Sequence, residues 1–376
     1  MNTMKKIGLI TIYHVPNFGS VLQTYATQIL LEKLGMECCI INYRYPNEWH
    51  YSKGMPKQSF KAMIGNLFGI KPAHRKANKL IQFKKENFNF TRLYKNLDEL
   101  KNADWGSYDM FVVGSDQVWK SHFTKGDSAF MLSFVPEEKP RISIASSFAS
   151  DSIPDAFREK YKKHLSKFNA ISVRERNGID IINKELKIDR TVKVLLDPTL
   201  LLTKEEWLNT IPRSAFKKKK KYILLYMLTY AFEPRPYIFD MLKHLQQLDD
   251  YDIIALEGYT PKEKANGIEM IDKTDSSISE FIELFVNADV VVTSSFHGTA
   301  FAINFGIPLV SIVPEGNSDD RQSTLLKSLG LECCIANSQT PTSIIRYRYD
   351  LETATLNLDN LRRQSIAWIK NSLQCH

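Results

Sequence analysis

"VVTSSFHGTAFAINFGIPLV", residues 291–310, is the stretch from which the fold is read. A β-branched run halts on Thr293, Ser294 and Ser295, presents Phe296 and His297, and resumes as an apolar segment closed by Gly306 and Ile307-Pro308. A buried strand over 290–293 followed by a helix over 298–305 makes one βα unit of a parallel sheet. The histidine sits at the carboxyl end of the strand, where open α/β sheets bind ligands.

The same alternation repeats outward in both directions. Short Ile/Val-rich runs over 7–11, 38–43, 109–113, 142–145 and 170–173 form one series of expected strands, and 222–227, 252–256, 290–293, 309–313 and 333–336 form a second. Amphipathic stretches separate them, so the pattern predicts two Rossmann-like domains. A length of 376 residues agrees, since single cores stop growing at roughly 250–300 residues. "LEKLGMECCIIN" (31–42) and "LKSLGLECCIAN" (326–337) echo each other as helix end, glycine stop and buried strand. "VLLDPTLLLTKEEW" (194–207) holds a strand and then Thr203, three residues before Glu206, a capping-box spacing. The boundary is expected there, with an N-terminal domain over 1–195 and a C-terminal domain over 196–376. Leu356, Leu358, Leu361, Ile366, Trp368, Ile369 and Leu373 fall mostly at helical spacing and predict a C-terminal closing helix.

The formal charge of +8 is concentrated rather than spread. Residues 53–85, inside a basic insertion over about 50–95, carry nine Lys/Arg and no Asp or Glu. Phe60, Met63, Ile64, Leu67, Phe68 and Ile70 interleave with these cations. The segment therefore reads either as a surface helix resting on an anionic membrane or as a solvated insertion covering the cleft. Nucleic-acid binding ranks last, because the arginine and aromatic signatures of RNA-binding folds are absent. Cys38, Cys39, Cys333 and Cys334 lack metal or redox spacing and are expected to be reduced core thiols. The first twenty residues have too short an apolar stretch for a signal peptide, and no run is long enough to span a bilayer, so a cytoplasmic protein is expected.

Four strand-to-helix junctions are unusually polar. The first offers Asn17, Gly19 and Ser20, where glycine permits close backbone approach and Ser20 can cap a helix; it lacks the dinucleotide fingerprint. The second offers Ser115, Asp116 and Gln117 with Trp119 close behind, a set suited to sugar hydroxyls and stacking. The third presents Arg174 and Glu175, where a guanidinium matches carboxylate or phosphate, and a structural Arg–Glu pair is the plain alternative. The fourth is the opening stretch, where Ser294, Ser295, Gly298 and Thr299 flank His297, a proton carrier or anion ligand near neutral pH.

Taken together, "NFGSVLQTYATQILLEKLG", "FVVGSDQVW", "SVRERNGIDII" followed by "LLDPTLLL", and "ADVVVTSSFHGTAFAINFGIPLV" resemble the polysaccharide pyruvyl transferase family over roughly residues 4–340. The resemblance implies a GT-B-like fold, with acceptor bound by the N-terminal domain and donor by the C-terminal one. It implies transfer of pyruvate from phosphoenolpyruvate to two sugar hydroxyls, with no metal or organic cofactor. It maps His297 as acid/base and Arg174 as an anion binder. Many relatives carry Arg-Leu before the histidine, whereas this chain has Ser295-Phe296, and Arg321 is the expected substitute cation. Asp116 is expected as a second base, with Asn17, Gly19, Ser20, Ser115, Gln117 and Trp119 around the acceptor and Ser294, Ser295, Gly298 and Thr299 around the donor. The acceptor would be a polysaccharide or a lipid-linked oligosaccharide, met at the inner face of the membrane if the basic segment rests there. Rival expectations are a glycosyltransferase using a nucleotide sugar, with Glu257 on the ribose, and a non-catalytic glycan-binding protein.

Overall fold

A computed structural model describes residues 4–45, 72–259, 267–316 and 320–375. The first series of strands forms a parallel sheet ordered β2-β1-β3-β4, with β1 at Lys6–Ile10, β2 at Glu37–Ile40, β3 at Met110–Val113 and β4 at Arg141–Ser143. Bridges Ile142↔Ala170 and Ser146↔Val173 extend it to β5 (Ile171–Val173), which pairs with β6 (Val192–Val194). The second series forms a parallel sheet ordered β12-β11-β10-β7-β8-β9. Its strands are β7 at Tyr222–Tyr226, β8 at Asp252–Glu257, β9 at Ile271–Asp272, β10 at Val290–Thr293, β11 at Leu309–Ile312 and β12 at Ile335–Ala336. Central strands such as β10, with every residue buried, read as unbroken apolar runs because helices cover both faces.

In the first sheet the chain leaves β1 toward β2 and returns beyond it to β3. In the second, β8 and β9 lie on one side of β7 and β10 on the other. Each sheet thus has a topological switch point, between β1 and β3 and between β7 and β10, the place where ligands bind such sheets.

The C-terminal helix Leu351–Gln374 ties the two sheets' surroundings together. Ser365 Oγ accepts from Leu196 N at 3.2 Å, and Arg362 donates to Leu200 O at 2.8 Å and to Asn304 Oδ1 at 3.0 Å. Of the residues expected to pack, Leu356 instead lies exposed. The Thr203–Glu206 capping box forms as its spacing predicts.

Three sequence expectations are corrected. The strand expected over 333–336 begins as a tight helical turn, Glu332–Cys334, and only Ile335–Ala336 pair with β11. The strand expected within 194–207 instead ends at Val194. Cys38 and Cys334 are buried, but Cys39 is half-buried and Cys333 exposed, so only two of the four thiols belong to the core.

Most of the basic segment, 53–71, lies outside the described residues. Its remainder is a helix, Pro72–Asn87, whose cations engage the protein itself. Arg75 pairs with Asp275 at 2.5 Å, Lys76 with Glu257 at 2.8 Å and Lys79 with Glu280 at 3.1 Å, so this part clasps the second sheet's side. No helix among the described residues is long and apolar enough to cross a membrane.

Candidate active site

The two switch points face each other, and polar side chains from four junctions converge between them. After β1, Asn17 caps the helix Phe18–Lys33 by accepting from Ser20 N at 3.3 Å, which fixes the start of its first turn. After β3, Asp116 adopts a left-handed backbone (φ 72°), and its Oδ2 accepts from Ser20 Oγ at 2.6 Å. Ser20 and Asp116 thus join the two junctions of the first switch point.

Beyond β5 and β6 the chemistry becomes ionic. Asp197, fully buried, accepts from Arg174 Nη1 at 2.6 Å and from Ser115 Oγ at 2.7 Å on Oδ2. Its Oδ1 accepts from Thr199 N at 2.9 Å and Thr199 Oγ1 at 2.7 Å, capping the turn Pro198–Leu201. Burial pushes the Asp197 pKa up, but contact with His297, the charge of Arg174 and the Ser115 hydroxyl outweigh it and hold the carboxyl well below the usual range. Arg174 is 3% exposed, and its Nε and Nη2 have no hydrogen-bond partner. Buried donors of this kind are costly unless something binds them.

His297 enters from the second sheet on the helix Phe296–Phe305, two residues longer at its start than the sequence predicts. The turn before it is built by Thr293, which donates to Tyr226 O at 2.6 Å and accepts from Ser295 N at 3.0 Å. Ser295 caps the helix through Gly298 N, and Ser294 Oγ accepts from Leu228 N at 2.8 Å. The imidazole is 6% exposed, with Nε2 3.7 Å from Asp197 Oδ2 and no hydrogen-bond partner of its own. Its opposite edge rests on Gly19, where a β-carbon would lie 2.1 Å from Nδ1. Gly19→Ala is therefore expected to displace the ring and lower turnover on the order of 10²-fold, as misplacement of a catalytic group by about 1 Å does. Steady-state kinetics beside a thermal melt checks this, and an unchanged kcat would show that the ring position does not matter.

Phe296, next to the histidine, has two guanidinium groups near its ring, Arg174 Cζ at 4.2 Å and Arg321 Cζ at 6.0 Å from the centroid. Arg321 opens the helix Arg321–Leu329. The structure thus brings together His297, Arg174, Arg321, Asp116, Ser115, Ser20 and Gly19 from distant parts of the chain. Gln117 lies beside them, with a buried Oε1 that lacks a partner.

Some candidates are placed otherwise. Trp119 is buried in the first core and donates from its indole to Phe130 O at 2.9 Å, so it offers no stacking face. Thr299 is fully buried and its hydroxyl meets Ser311 at 2.9 Å, bracing the helix against β11. Gly298 leaves room for Thr293, whose Oγ1 would lie 2.3 Å from an added β-carbon. Glu175 does not pair with Arg174; it accepts from Phe148 N at 2.7 Å and Ala149 N at 3.2 Å and holds that loop. Asp197 is the residue to which sequence reasoning gave no role. Its signal was the Asp-Pro at a strand end, which equally marks an ordinary helix cap.

The sequence model of the polysaccharide pyruvyl transferase family matches residues 17–316. The chain belongs to that family. Membership makes the protein a transferase and indicates pyruvyl transfer to a polysaccharide. No curated protein matches the chain. Among solved structures it is similar to a glycosyltransferase from Rickettsia africae (11% identity, TM-score 0.54, covering 98% of this chain and 99% of that one). It is also similar to a UDP-GlcNAc 2-epimerase from Neisseria meningitidis bound to UDP-GlcNAc (11% identity, TM-score 0.51, covering 99% and 100%). Likeness at this identity concerns the fold, and it gives this pyruvyl transferase family member two Rossmann-like domains in the GT-B manner.

Proposed function

We propose that the enzyme transfers the pyruvyl skeleton of phosphoenolpyruvate to two hydroxyls of a sugar, in a surface polysaccharide or its lipid-linked precursor, forming a cyclic ketal and inorganic phosphate. The observation that carries this reading is the convergence of His297 and Arg174 on Asp197, with Asp116 4.0 Å from Arg174, in a member of a pyruvyl transferase family. A proton carrier, fixed cations and a carboxylate near the attacking hydroxyl are what the chemistry needs.

His297 gives a proton to the methylene carbon of phosphoenolpyruvate, and a sugar hydroxyl adds to C2 and loses its proton to a base, Asp116 or the histidine itself. The C2–O bond to phosphate then breaks, the phosphate carries off the electron pair, and the second hydroxyl closes the ring. Of the two hydroxyl protons lost, one restores the acid that made the methyl group and the other leaves with phosphate. No electron is exchanged with an external acceptor, so the reading needs no redox cofactor.

Arg174, whose Nε and Nη2 lack hydrogen-bond partners, and Arg321 bind the donor's carboxylate and phosphate beside Phe296. This arrangement supports Arg321 as the cation that stands in for the arginine many relatives carry before the histidine. Ser294, Ser295 and Gly298 contribute the helix N-terminus, which favours anions. Ser20, Ser115, Asn17 and Gln117 face the acceptor. The reaction is assigned to the cytoplasm, with the membrane face as the meeting place if the acceptor is lipid-linked. Glu257, the candidate ribose-binding acid of the nucleotide-sugar alternative, pairs with Lys76 through Oε2.

Calorimetric titration with phosphoenolpyruvate, in parallel with uridine and guanosine diphosphate sugars, tests the donor without knowledge of the acceptor. Saturable binding of phosphoenolpyruvate is expected; binding of a nucleotide sugar in its place would overturn the reading.

A further inference from the structure

We infer that Asp197 is the positioning residue of the site: it holds the Nε2 edge of His297 and so leaves Nδ1, the edge facing Gly19 on the acceptor side, to move the proton. The inference rests on His297 being the proton carrier. Asp197 follows β6 in the first sheet's half and His297 follows β10 in the second, so the contact exists only when the two halves meet.

The geometry constrains the carboxylate on every side. Ser115, Arg174 and both groups of Thr199 fix its two oxygens within 2.6–2.9 Å. Its Oδ2 then stands 3.7 Å from Nε2, and that nitrogen is buried with no other partner. Catalytic hydrogen bonds are often long in the absence of substrate and tighten when it binds. A rigid, ionised acceptor beside a buried N–H fixes the tautomer and stabilises the ring while it carries the proton. Among the described residues, Asp197 approaches the imidazole, Arg174 and Arg321 lie over the Phe296 ring, and Asp116 stands 4.0 Å from Arg174. The Asp197 oxygen nearest the imidazole is shared with Arg174.

Nitrogen-15 NMR of the histidine-labelled full chain, with His297 assigned from the His297→Ala spectrum, reads the tautomer in the unmodified protein. Neutral His297 with its proton on Nε2 is expected, and a proton on Nδ1 would overturn the inference. In Asp197→Asn the neutral ring is expected to lose that preference and populate both tautomers, because an amide can present either a donor or an acceptor to Nε2. An unchanged preference for Nε2–H in that variant would equally overturn it. Turnover at saturating donor gives a third reading: Asp197→Asn combined with His297→Ala should be no slower in kcat than His297→Ala alone, any loss through Arg174 falling on KM, whereas fully additive losses in kcat would mean that Asp197 acts independently of the ring. The NMR arms need no donor, so failure of phosphoenolpyruvate as substrate would leave them standing and is separately visible.

Discussion

Replacement of His297 by alanine is expected to lower kcat for pyruvyl transfer by about 10²–10⁴-fold, the usual contribution of a positioned proton carrier, with little change in the Kd for phosphoenolpyruvate. The asymmetry follows from where the ring sits. His297 lies between Asp197 and Gly19, while the groups with unsatisfied donors for an anion belong to Arg174. An interaction needed only in the transition state is lost from kcat and spared in ground-state binding. Because alanine leaves space beside Asp197, His297→Gln serves as the companion variant. Its amide can still donate toward the carboxylate and fill the turn, yet it cannot carry a proton. Phosphate release measured against acceptor concentration should show both variants equally slow. Near-normal turnover in the glutamine variant would remove the acid/base role, and a parallel loss of donor affinity would recast His297 as an anion ligand.

That the histidine could be found without a structure is owed to its setting rather than its identity. Val290–Thr293, small polar residues and a glycine-stopped helix mark a strand's carboxyl end, and both sheets follow from repetition of that unit. What joins the junctions was not legible, because it depends on pairs far apart in the chain. Ser20 meets Asp116 only after β1 and β3 pair, and Ser115 meets Asp197 only after the chain beyond β6 returns to the end of β3. Asp197 was hidden by its second job, since a carboxylate that caps a turn looks the same in sequence whether or not its other oxygen holds an arginine. Trp119 shows the converse ambiguity: an aromatic just past a strand end suits a sugar face or a core, and its indole hydrogen bond to Phe130 decides for the core. Cys333 and Cys334 fell in an apolar run too short for periodicity to separate strand from helical turn. The ion pairs of the basic helix were not legible because Asp275, Glu257 and Glu280, the carboxylates it meets, lie some two hundred residues away.

Replacement of Arg174 by alanine is expected to abolish measurable binding of phosphoenolpyruvate and also to destabilise the fold by about 3–5 kcal/mol, the cost of leaving a buried charge without its partner. Both partners are almost wholly enclosed, so solvent does not screen the loss. Arg174→Lys separates the two effects. A lysine restores a positive charge near Asp197 and should recover much of the stability, but its point charge lacks the planar fork that binds a carboxylate or phosphate, so donor affinity should stay at least about tenfold weaker. The pH dependence gives the sign of the ionic contribution. Asp197 is held well below the ordinary carboxyl value, so its contribution is fully present above about pH 4 and is lost as pH falls below that value. In Arg174→Ala one opposing charge is gone while burial is unchanged, which raises the carboxyl pKa; protonation then relieves the variant as the medium is acidified. The stability gap between wild type and Arg174→Ala should therefore narrow as pH is lowered from 7 toward 4, as read by urea denaturation at each pH. A gap that stays constant over that range would mean that Arg174 supports the fold by packing against Phe296 and not by neutralising Asp197.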